Sequence, residues 1–248
     1  MNLTKKGQEF LELCQNIVGQ LEQGTTIIGE KDSEPVGTLK IVTGIGTSDT
    51  ILENLPIFAQ QFPNVDFIFL SMTEIYQFHI GDADIGIIPV CYSDSDIVQH
   101  ILYESRLRIY ASPSYLAKNT APKNLEELKS HKLIVYGGSE RALNEINIHL
   151  LQQPSSQNTD YNFRQFITVN NGLSLRRALI TGLGIGPYEY DRELVSNNLL
   201  VDVFPDTPDY KIPYYFTYHR RLEGSQKVRA FHDFLKDVVK VWERPEKK

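Results

Sequence analysis

The chain has 248 residues, of which 41% are hydrophobic and 23% are charged, and this composition excludes a disordered chain, a collagen and a coiled-coil rod. It carries 25 Lys and Arg against 31 Asp and Glu, a formal net charge of −6. No overall basic field therefore exists to hold the chain on a nucleic-acid backbone. The apolar content is enough for one large core or two smaller cores.

The sequence shows no sign of export or membrane insertion. Its first ten residues lack the apolar stretch of a signal peptide, and no later segment reaches the apolar length that spans a bilayer. Cys14 and Cys91 lie far apart and form neither a CxxC motif nor a disulfide framework. We therefore expect a cytoplasmic protein in a reducing compartment.

The first segment, 3–28, has the pattern of one long amphipathic helix. Phe10, Leu13, Ile17 and Leu21 recur at steps of three and four residues, which places them on one helical face. This face either packs on the body of the same chain or pairs with a helix of a second subunit. Charge, Pro and Gly then interrupt the pattern at 29–37, so we expect a linker and a domain boundary near residue 35.

Strands and helices alternate after the linker, which predicts an α/β protein whose parallel sheet is covered by helices. The first predicted elements are a strand at 39–42, a helix at 50–62 and strands at 65–70, 83–88, 97–103 and 107–111. A turn at 112–116 precedes a second series. That series consists of strands at 133–136 and 163–169, helices at 140–151 and 173–181, and a strand beginning at 184–186.

Late strands at 199–204 and 213–218 and a closing helix at 227–242 complete the pattern. We expect two α/β lobes of about a hundred residues each, with a ligand site in the cleft between them.

The motifs of common enzymes and metalloproteins are missing from the sequence. Gly44-Ile45-Gly46 follows a strand, but Asp49 stands where a dinucleotide site needs a third small residue. The six histidines have no metal-ligand spacing, and neither a GxSxG motif nor a reactive-cysteine motif occurs. We therefore predict no metal, no cofactor and no catalytic residues, although a site built from scattered residues stays open.

Two predicted helix starts carry polar side chains that are suited to bind a ligand. The first start has four polar residues before Ile51, namely Thr47, Ser48, Asp49 and Thr50. Of these, Thr50 has the spacing of a capping box with Glu53. The second start has Asn170, Asn171 and Gly172 before Leu173. Because helix N-termini offer N–H donors and a positive dipole end, we expect a small anionic or polar ligand, although Asp49 competes for the same donors. The alternative is that both clusters only cap their helices.

Several motifs in order along the chain resemble the LysR-type transcriptional regulators. Leu3-Thr4-Lys5-Lys6-Gly7 resembles the LT-x-x-G start of the linker helix of that family, and 37–41 resembles the opening of its effector-binding domain. The segments with similar matches are 55–65, Ala111-Ser112-Pro113-Ser114-Tyr115-Leu116, Gly182-Leu183-Gly184-Ile185-Gly186 and 228–235. Together they cover essentially the whole chain.

The resemblance implies two Rossmann-like subdomains of the periplasmic-binding-protein type, preceded by a long linker helix. Residues 1–35 would form the dimerisation helix and hinge, and 36–248 the effector-binding domain. Subdomain I would take about 36–111 and 213–248, and subdomain II about 112–212. The implied effector contacts are Thr47, Ser48, Asp49, Thr50, Ser112 and Asn170, and the implied dimer contacts are Phe10, Leu13, Ile17 and Leu21.

The sequence departs from the family pattern in two places. Pro187-Tyr188-Glu189-Tyr190 stands where the family has an apolar-Leu-Pro sequence, which makes that wall bulkier and more polar. In the family, a winged helix-turn-helix precedes the linker helix and reads DNA, whereas Met1 stands almost at the start of that helix here. A truncated chain, a misassigned start codon and a regulator without its DNA-binding head all predict this arrangement.

The resemblance implies the effector-sensing part of a transcriptional regulator that is not an enzyme. It would form a homodimer or homotetramer and contact DNA only through a winged helix-turn-helix. A stand-alone solute-binding protein and an enzyme on the same fold are the alternatives.

Overall fold

The computed structural model describes residues 34–72, 83–124, 126–137 and 165–242, together with Thr4, Lys6, Gly7, Phe10, Leu13, Cys14 and Ile17. The elements are β1 (Gly37–Gly44), α1 (Ile45–Gln61), β2 (Val65–Met72), β3 (Ile85–Ile88), β4 (Ile97–Ala111), α2 (Pro113–Leu116), β5 (Leu133–Tyr136), β6 (Gln165–Val169), α3 (Gly172–Ile180), β7 (Ile185–Glu189), α4 (Arg192–Ser196), β8 (Val201–Asp202), β9 (Tyr210–His219) and α5 (Gln226–Trp242). Short 3-10 helices occupy Glu127–Ser130 and Arg220–Leu222.

The chain divides into two compact units. Unit 1 holds the segments that end at Ser71 and at Tyr103 and the C-terminal segment from Tyr215, and unit 2 holds Glu104–Tyr214 with a short segment after Ser71. The strands β4 and β9 therefore contribute residues to both units.

Unit 1 is built on the strand order β2-β1-β3-β9. β1 runs parallel to β3, with Ile41 opposite Ile85, and β3 runs antiparallel to β9, with Ile87 opposite Phe216. The core between the strands and the two long helices centres on Phe58 of α1, whose ring lies 5.4 Å from that of Phe231 of α5. Each such fully buried side chain stabilises the fold by roughly 1.5–3 kcal/mol.

The sequence pattern explains why α5 packs in this way. Five buried apolar residues recur at helical spacing along α5: Val228, Phe231, Leu235, Val238 and Val239. The charged residues Lys236 and Asp237, which lie between them in the sequence, are exposed. One apolar face of α5 therefore covers the strands of unit 1.

Unit 2 has the strand order β7-β5-β6, with β4 beside β7. β5 is parallel to β6 and to β7, and β4 is antiparallel to β7, with Leu107 opposite Glu189. One core cluster contains Ile109, Tyr115, Leu128 and Ile185. A second packs Leu175 and Leu179 of α3 against the strands.

Four of the element predictions need correction. α1 begins at Ile45, five residues before the predicted start at Thr50. The two strands predicted at 97–103 and 107–111 form the single strand β4. The strand predicted at 199–204 contains only Val201–Asp202. The predicted parallel sheet is mixed, because β9 and β4 pair antiparallel with β3 and β7.

The predicted bounds agree within one or two residues for four elements: the strands at 133–136 and 165–169 and the helices α3 and α5. The helix predicted at 140–151 lies outside the described residues.

Candidate functional site

The first turn of α1 follows directly on the carboxyl end of β1. Its N-cap is Gly44, and within the described part of the chain no side chain accepts a hydrogen bond from its first-turn N–H groups. No acidic residue lies in this turn. Toward the described residues, the first N–H groups of α1 therefore keep their donor capacity at the positive end of a 17-residue helix, an arrangement that binds anions.

Thr47 and Ser48 place two buried hydroxyl groups in this turn. Thr47 Oγ1 and the Tyr103 hydroxyl share a hydrogen bond of 3.1 Å, and Thr47 is 9% exposed. Ser48 Oγ donates to the carbonyl oxygen of Ile45 at 2.8 Å and accepts from Ser71 Oγ at 2.8 Å. The structure thus brings these two predicted site residues together.

Asp49 and Thr50 take different positions from those expected. Asp49 is exposed, and Thr50 Oγ1 donates to the carbonyl oxygen of Gly46 at 3.2 Å. The predicted capping by Thr47, Ser48, Asp49 and Thr50 is wrong, because all four lie inside α1 rather than before it. The expected competition of the Asp49 carboxylate for the first-turn donors is also not seen.

The loop that follows β3 reaches the same edge of unit 1, because β1 and β3 are parallel. One side chain of β4 holds this loop: Gln99 Oε1 accepts from the N–H of Tyr92 at 2.7 Å, and Gln99 Nε2 donates to the carbonyl oxygen of Val90 at 2.8 Å. Gln99 Nε2 also donates to Thr217 Oγ1 of β9 at 3.0 Å. Sequence analysis missed Gln99, since no motif links it to the loop and Thr217 lies 118 residues away in the chain.

In unit 2, Ser112 is 2% exposed and caps the short helix α2. Its hydroxyl accepts from the N–H of Tyr115 at 3.3 Å and shares a hydrogen bond of 2.9 Å with Ser114. Gly182 has a φ of +76°, and a Cβ there would meet the Ser114 hydroxyl at 2.7 Å. The hydroxyl of Ser112 therefore already has a structural role in this unit.

Asn170 and Asn171 begin α3 at the carboxyl end of β6. Asn171 is the N-cap, and its Oδ1 accepts from the N–H of Ser174 at 2.8 Å. Asn170 is exposed, and its Oδ1 accepts from Asn171 Nδ2 at 3.3 Å. Of the two, only Asn170 keeps an exposed side chain for a ligand, whereas Asn171 caps the helix as predicted.

Glu189 is a polar residue at the end of β7 that sequence analysis noted only as part of a more polar wall. Its Oε1 accepts from the Tyr214 hydroxyl at 3.0 Å, and its carboxylate also accepts from the Ser105 hydroxyl. Desolvation raises the pKa of this carboxyl, although both hydrogen bonds act in the opposite direction. The sequence signal for it was the glutamate in place of the family's proline.

The predicted dimer contacts are partly described. Phe10, Leu13 and Ile17 are helical, with exposed fractions of 67%, 55% and 49%. Leu21 lies outside the described residues.

Among the described residues, no group of three or more His, Cys, Asp or Glu side chains is arranged to hold a metal ion. In the same part of the chain, no helix has the length and apolar character needed to cross a membrane.

Comparison with known proteins decides the family. The family model of the LysR substrate binding domain matches residues 32–240. The chain belongs to this family. It therefore represents the effector-binding part of a LysR-type transcriptional regulator, as the sequence motifs implied.

The curated relatives of this LysR domain are transcriptional regulators. The HTH-type transcriptional regulator CrgA of Neisseria meningitidis serogroup C (strain 8013) is 23% identical over 239 residues, which cover 95% of this chain and 78% of CrgA. An HTH-type transcriptional regulator of Xanthomonas campestris pv. campestris (strain 8004) is 24% identical over 239 residues, which cover 95% of this chain and 69% of that protein.

Solved structures confirm the predicted fold. The regulatory domain of CrgA from Neisseria meningitidis matches with a TM-score of 0.69 at 23% identity, covering 82% of this chain and 98% of that one. The full-length virulence activator AphB of Vibrio cholerae matches with a TM-score of 0.67 at 22% identity, covering 94% and 79%. The LysR domain thus has the α/β fold of two subdomains of the periplasmic-binding-protein type.

Proposed function

We propose that this LysR domain senses a small polar or anionic metabolite and thereby controls transcription. The observation that carries the proposal is the start of α1, where first-turn N–H groups without a side-chain cap stand beside the buried hydroxyls of Thr47 and Ser48. These groups lie at the carboxyl ends of the parallel strands β1 and β3, where α/β proteins bind ligands. A carboxylate or a similar anion would accept from these donors.

The role of the other predicted contacts differs from residue to residue. We propose that Asn170 contacts the effector from unit 2, since its side chain is exposed at the start of α3. Asp49 and Thr50 would contribute less, because the first is an exposed carboxylate and the second donates to its own helix. We propose that Ser112 acts through its capping of α2 in addition to any contact it makes.

We further propose that sensing, rather than catalysis, is the activity of this domain, because its relatives are named as transcriptional regulators. The exposed apolar side chains of Phe10, Leu13 and Ile17 would pair with a second copy to form a homodimer or homotetramer. DNA would be contacted only by a winged helix-turn-helix.

The test is a thermal-shift screen with a panel of small metabolites, followed by calorimetric titration of each compound that raises the thermal midpoint. Thr47→Val and Ser48→Ala each remove a hydroxyl from the first turn of α1, and we expect each to weaken binding about tenfold. Thr181→Ala is the matched control, because Thr181 lies at the end of α3, outside the proposed contacts, and its hydroxyl donates to the carbonyl oxygen of Arg177. Equal affinity in all four proteins would contradict the proposed site.

A further inference from the structure

Glu189 has an unusual environment for a carboxylate. It is the last residue of β7, and its neighbours are the hydroxyls of Ser105 on β4 and Tyr214 on β9. Ser105 is 6% exposed and Tyr214 is 7% exposed, so both donors are themselves buried. Two neutral hydroxyls therefore donate to a half-buried carboxylate.

No Lys, Arg or His among the described residues forms an ion pair with Glu189. The guanidinium of Arg106 instead lies over the ring of Tyr190, 4.8 Å from its centre. Burying a carboxylate without an opposite charge is costly, and such groups are rare unless a ligand or a proton compensates the charge.

The partly buried charge of Arg108, unlike that of Glu189, is paired with opposite charges among the described residues. Arg108 on β4 is paired with both Asp202 and Asp209. Unit 2 therefore compensates its partly buried guanidinium from within the chain but leaves the Glu189 carboxylate without a described cation.

The position of Glu189 fits a ligand contact. β7 is parallel to β5, and β5 is parallel to β6, so the carboxyl ends of all three strands lie at one edge of unit 2. Glu189 ends β7 at this edge, and Asn170 follows β6 at the same edge. Ligands of open α/β sheets bind beyond the carboxyl ends of their strands.

We propose that Glu189 is a specificity-determining residue that binds a primary ammonium group of the effector. The Ser105 and Tyr214 hydroxyls orient the carboxylate, and the ammonium donates to its remaining lone pairs and supplies the missing positive charge. The inference rests on the proposed function and names an amino group as the part of the ligand that unit 2 would bind.

The test uses methylammonium chloride as the probe and tetramethylammonium chloride, which has no N–H donor, at the same ionic strength. Thermal midpoints are measured for the wild-type chain, for Glu189→Gln and for Glu104→Gln. Glu104 is a control for general ionic effects, because it is exposed on the same unit and pairs with Lys211. Methylammonium is expected to raise the wild-type and Glu104→Gln midpoints by about 2 °C above tetramethylammonium, and this gain is expected to be absent in Glu189→Gln.

Equal midpoints in the two salts for the wild-type chain would overturn the proposal, whether or not Glu189→Gln folds. An equal methylammonium gain in all three proteins would overturn it as well, since the effect would then not require Glu189. Neither result touches the Thr47 and Ser48 titrations, which test the proposed function at the start of α1. The two ideas therefore fail independently.

Discussion

His232 on α5 is a half-buried titratable group with no role in the proposed site. Its ring lies 4.6 Å from that of Phe216 and 5.2 Å from that of His100, and its Nε2 has no hydrogen-bond partner among the described residues. Desolvation lowers the pKa of His232 to about 4, and the positive charge of Lys236 and the neighbouring His100 act in the same direction, against Asp233. The folded state therefore holds this imidazole neutral.

We predict that His232 makes the stability of unit 1 depend on pH. The unfolded chain binds the proton near pH 6.5 and the folded chain only near pH 4, so stability is lost as pH falls through this window. His232→Gln should flatten the dependence of the thermal midpoint between about pH 7.5 and about pH 5. Parallel curves for the two proteins would show that His232 does not cause the loss.

At the scale of the elements, two glycines of the family motif Gly182-Leu183-Gly184-Ile185-Gly186 have a packing role. A Cβ at Gly184 would collide with the carbonyl oxygen of Lys132, and one at Gly186 with the carbonyl oxygen of Ile134. Both glycines adjoin the pairing of β7 with β5, in which Leu133 lies opposite Ile185. The motif therefore allows the backbones of β7 and β5 to approach closely.

We predict that Gly184→Ala destabilises the chain by about 1–3 kcal/mol, because backbone atoms cannot yield as a flexible side chain can. Gly46→Ala is the control, since a Cβ there meets nothing within 4 Å. It should stabilise α1 by up to about 1 kcal/mol, because alanine favours the helix over glycine. Chemical denaturation measures both changes, and equal free energies of unfolding for the two variants would refute the packing role.

A second prediction concerns the loop after β3, which Gln99 holds through Tyr92, Val90 and Thr217. Gln99→Met keeps the length of the side chain but removes its hydrogen bonds, at an expected cost of about 1–3 kcal/mol. Hydrogen exchange in the segment 89–96 should accelerate, whereas Gln60→Met, at an exposed position of α1, should leave it unchanged. Unchanged exchange in Gln99→Met would show that other contacts hold the loop.

The sequence predicted the elements whose apolar residues repeat without interruption. β5 and α5 are examples, because Leu133-Ile134-Val135 and the stripe through Phe231 and Leu235 each have one clear period. The sequence pattern predicts two strands in place of β4, because Glu104, Ser105 and Arg106 interrupt its apolar residues, although the strand continues through them. The pattern predicts the start of α1 five residues too late, because Thr47, Ser48 and Thr50 resemble capping residues, whereas they lie in its first turns.

The candidate site was predictable only where its residues are adjacent in the chain. Thr47 and Ser48 could be found because they stand together after a strand. The partners of Glu189 could not, since Ser105 and Tyr214 are brought to it only when β4 and β9 fold beside β7. Hydrogen bonds between distant segments leave no periodic signal in a sequence.

At the scale of the whole molecule, we predict that the chain forms dimers through its N-terminal helix. Phe10, Leu13 and Ile17 share one helical face and are largely exposed, which is unfavourable for a helix without a partner. Light scattering should give twice the chain mass for the wild type and the monomer mass for the triple variant Phe10→Glu, Leu13→Glu and Ile17→Glu.

Ile101→Glu is the control for this experiment, because Ile101 is also an exposed apolar residue, at 64%, but lies on β4. It should leave the mass of the dimer unchanged. A monomeric wild-type chain, or a triple variant that still dimerises, would contradict the role of the N-terminal helix.

The proposed effector site at the start of α1 is tested most directly by locating where a stabilising metabolite binds. Backbone amide signals of an isotope-labelled chain are followed by NMR while the compound from the thermal-shift screen is added. We expect the amides of Ile45, Gly46 and Thr47 to shift most in unit 1, because they form the first turn of α1, whose N-cap Gly44 has no side chain. Saturable binding that leaves these three amides unchanged would contradict the proposed effector site.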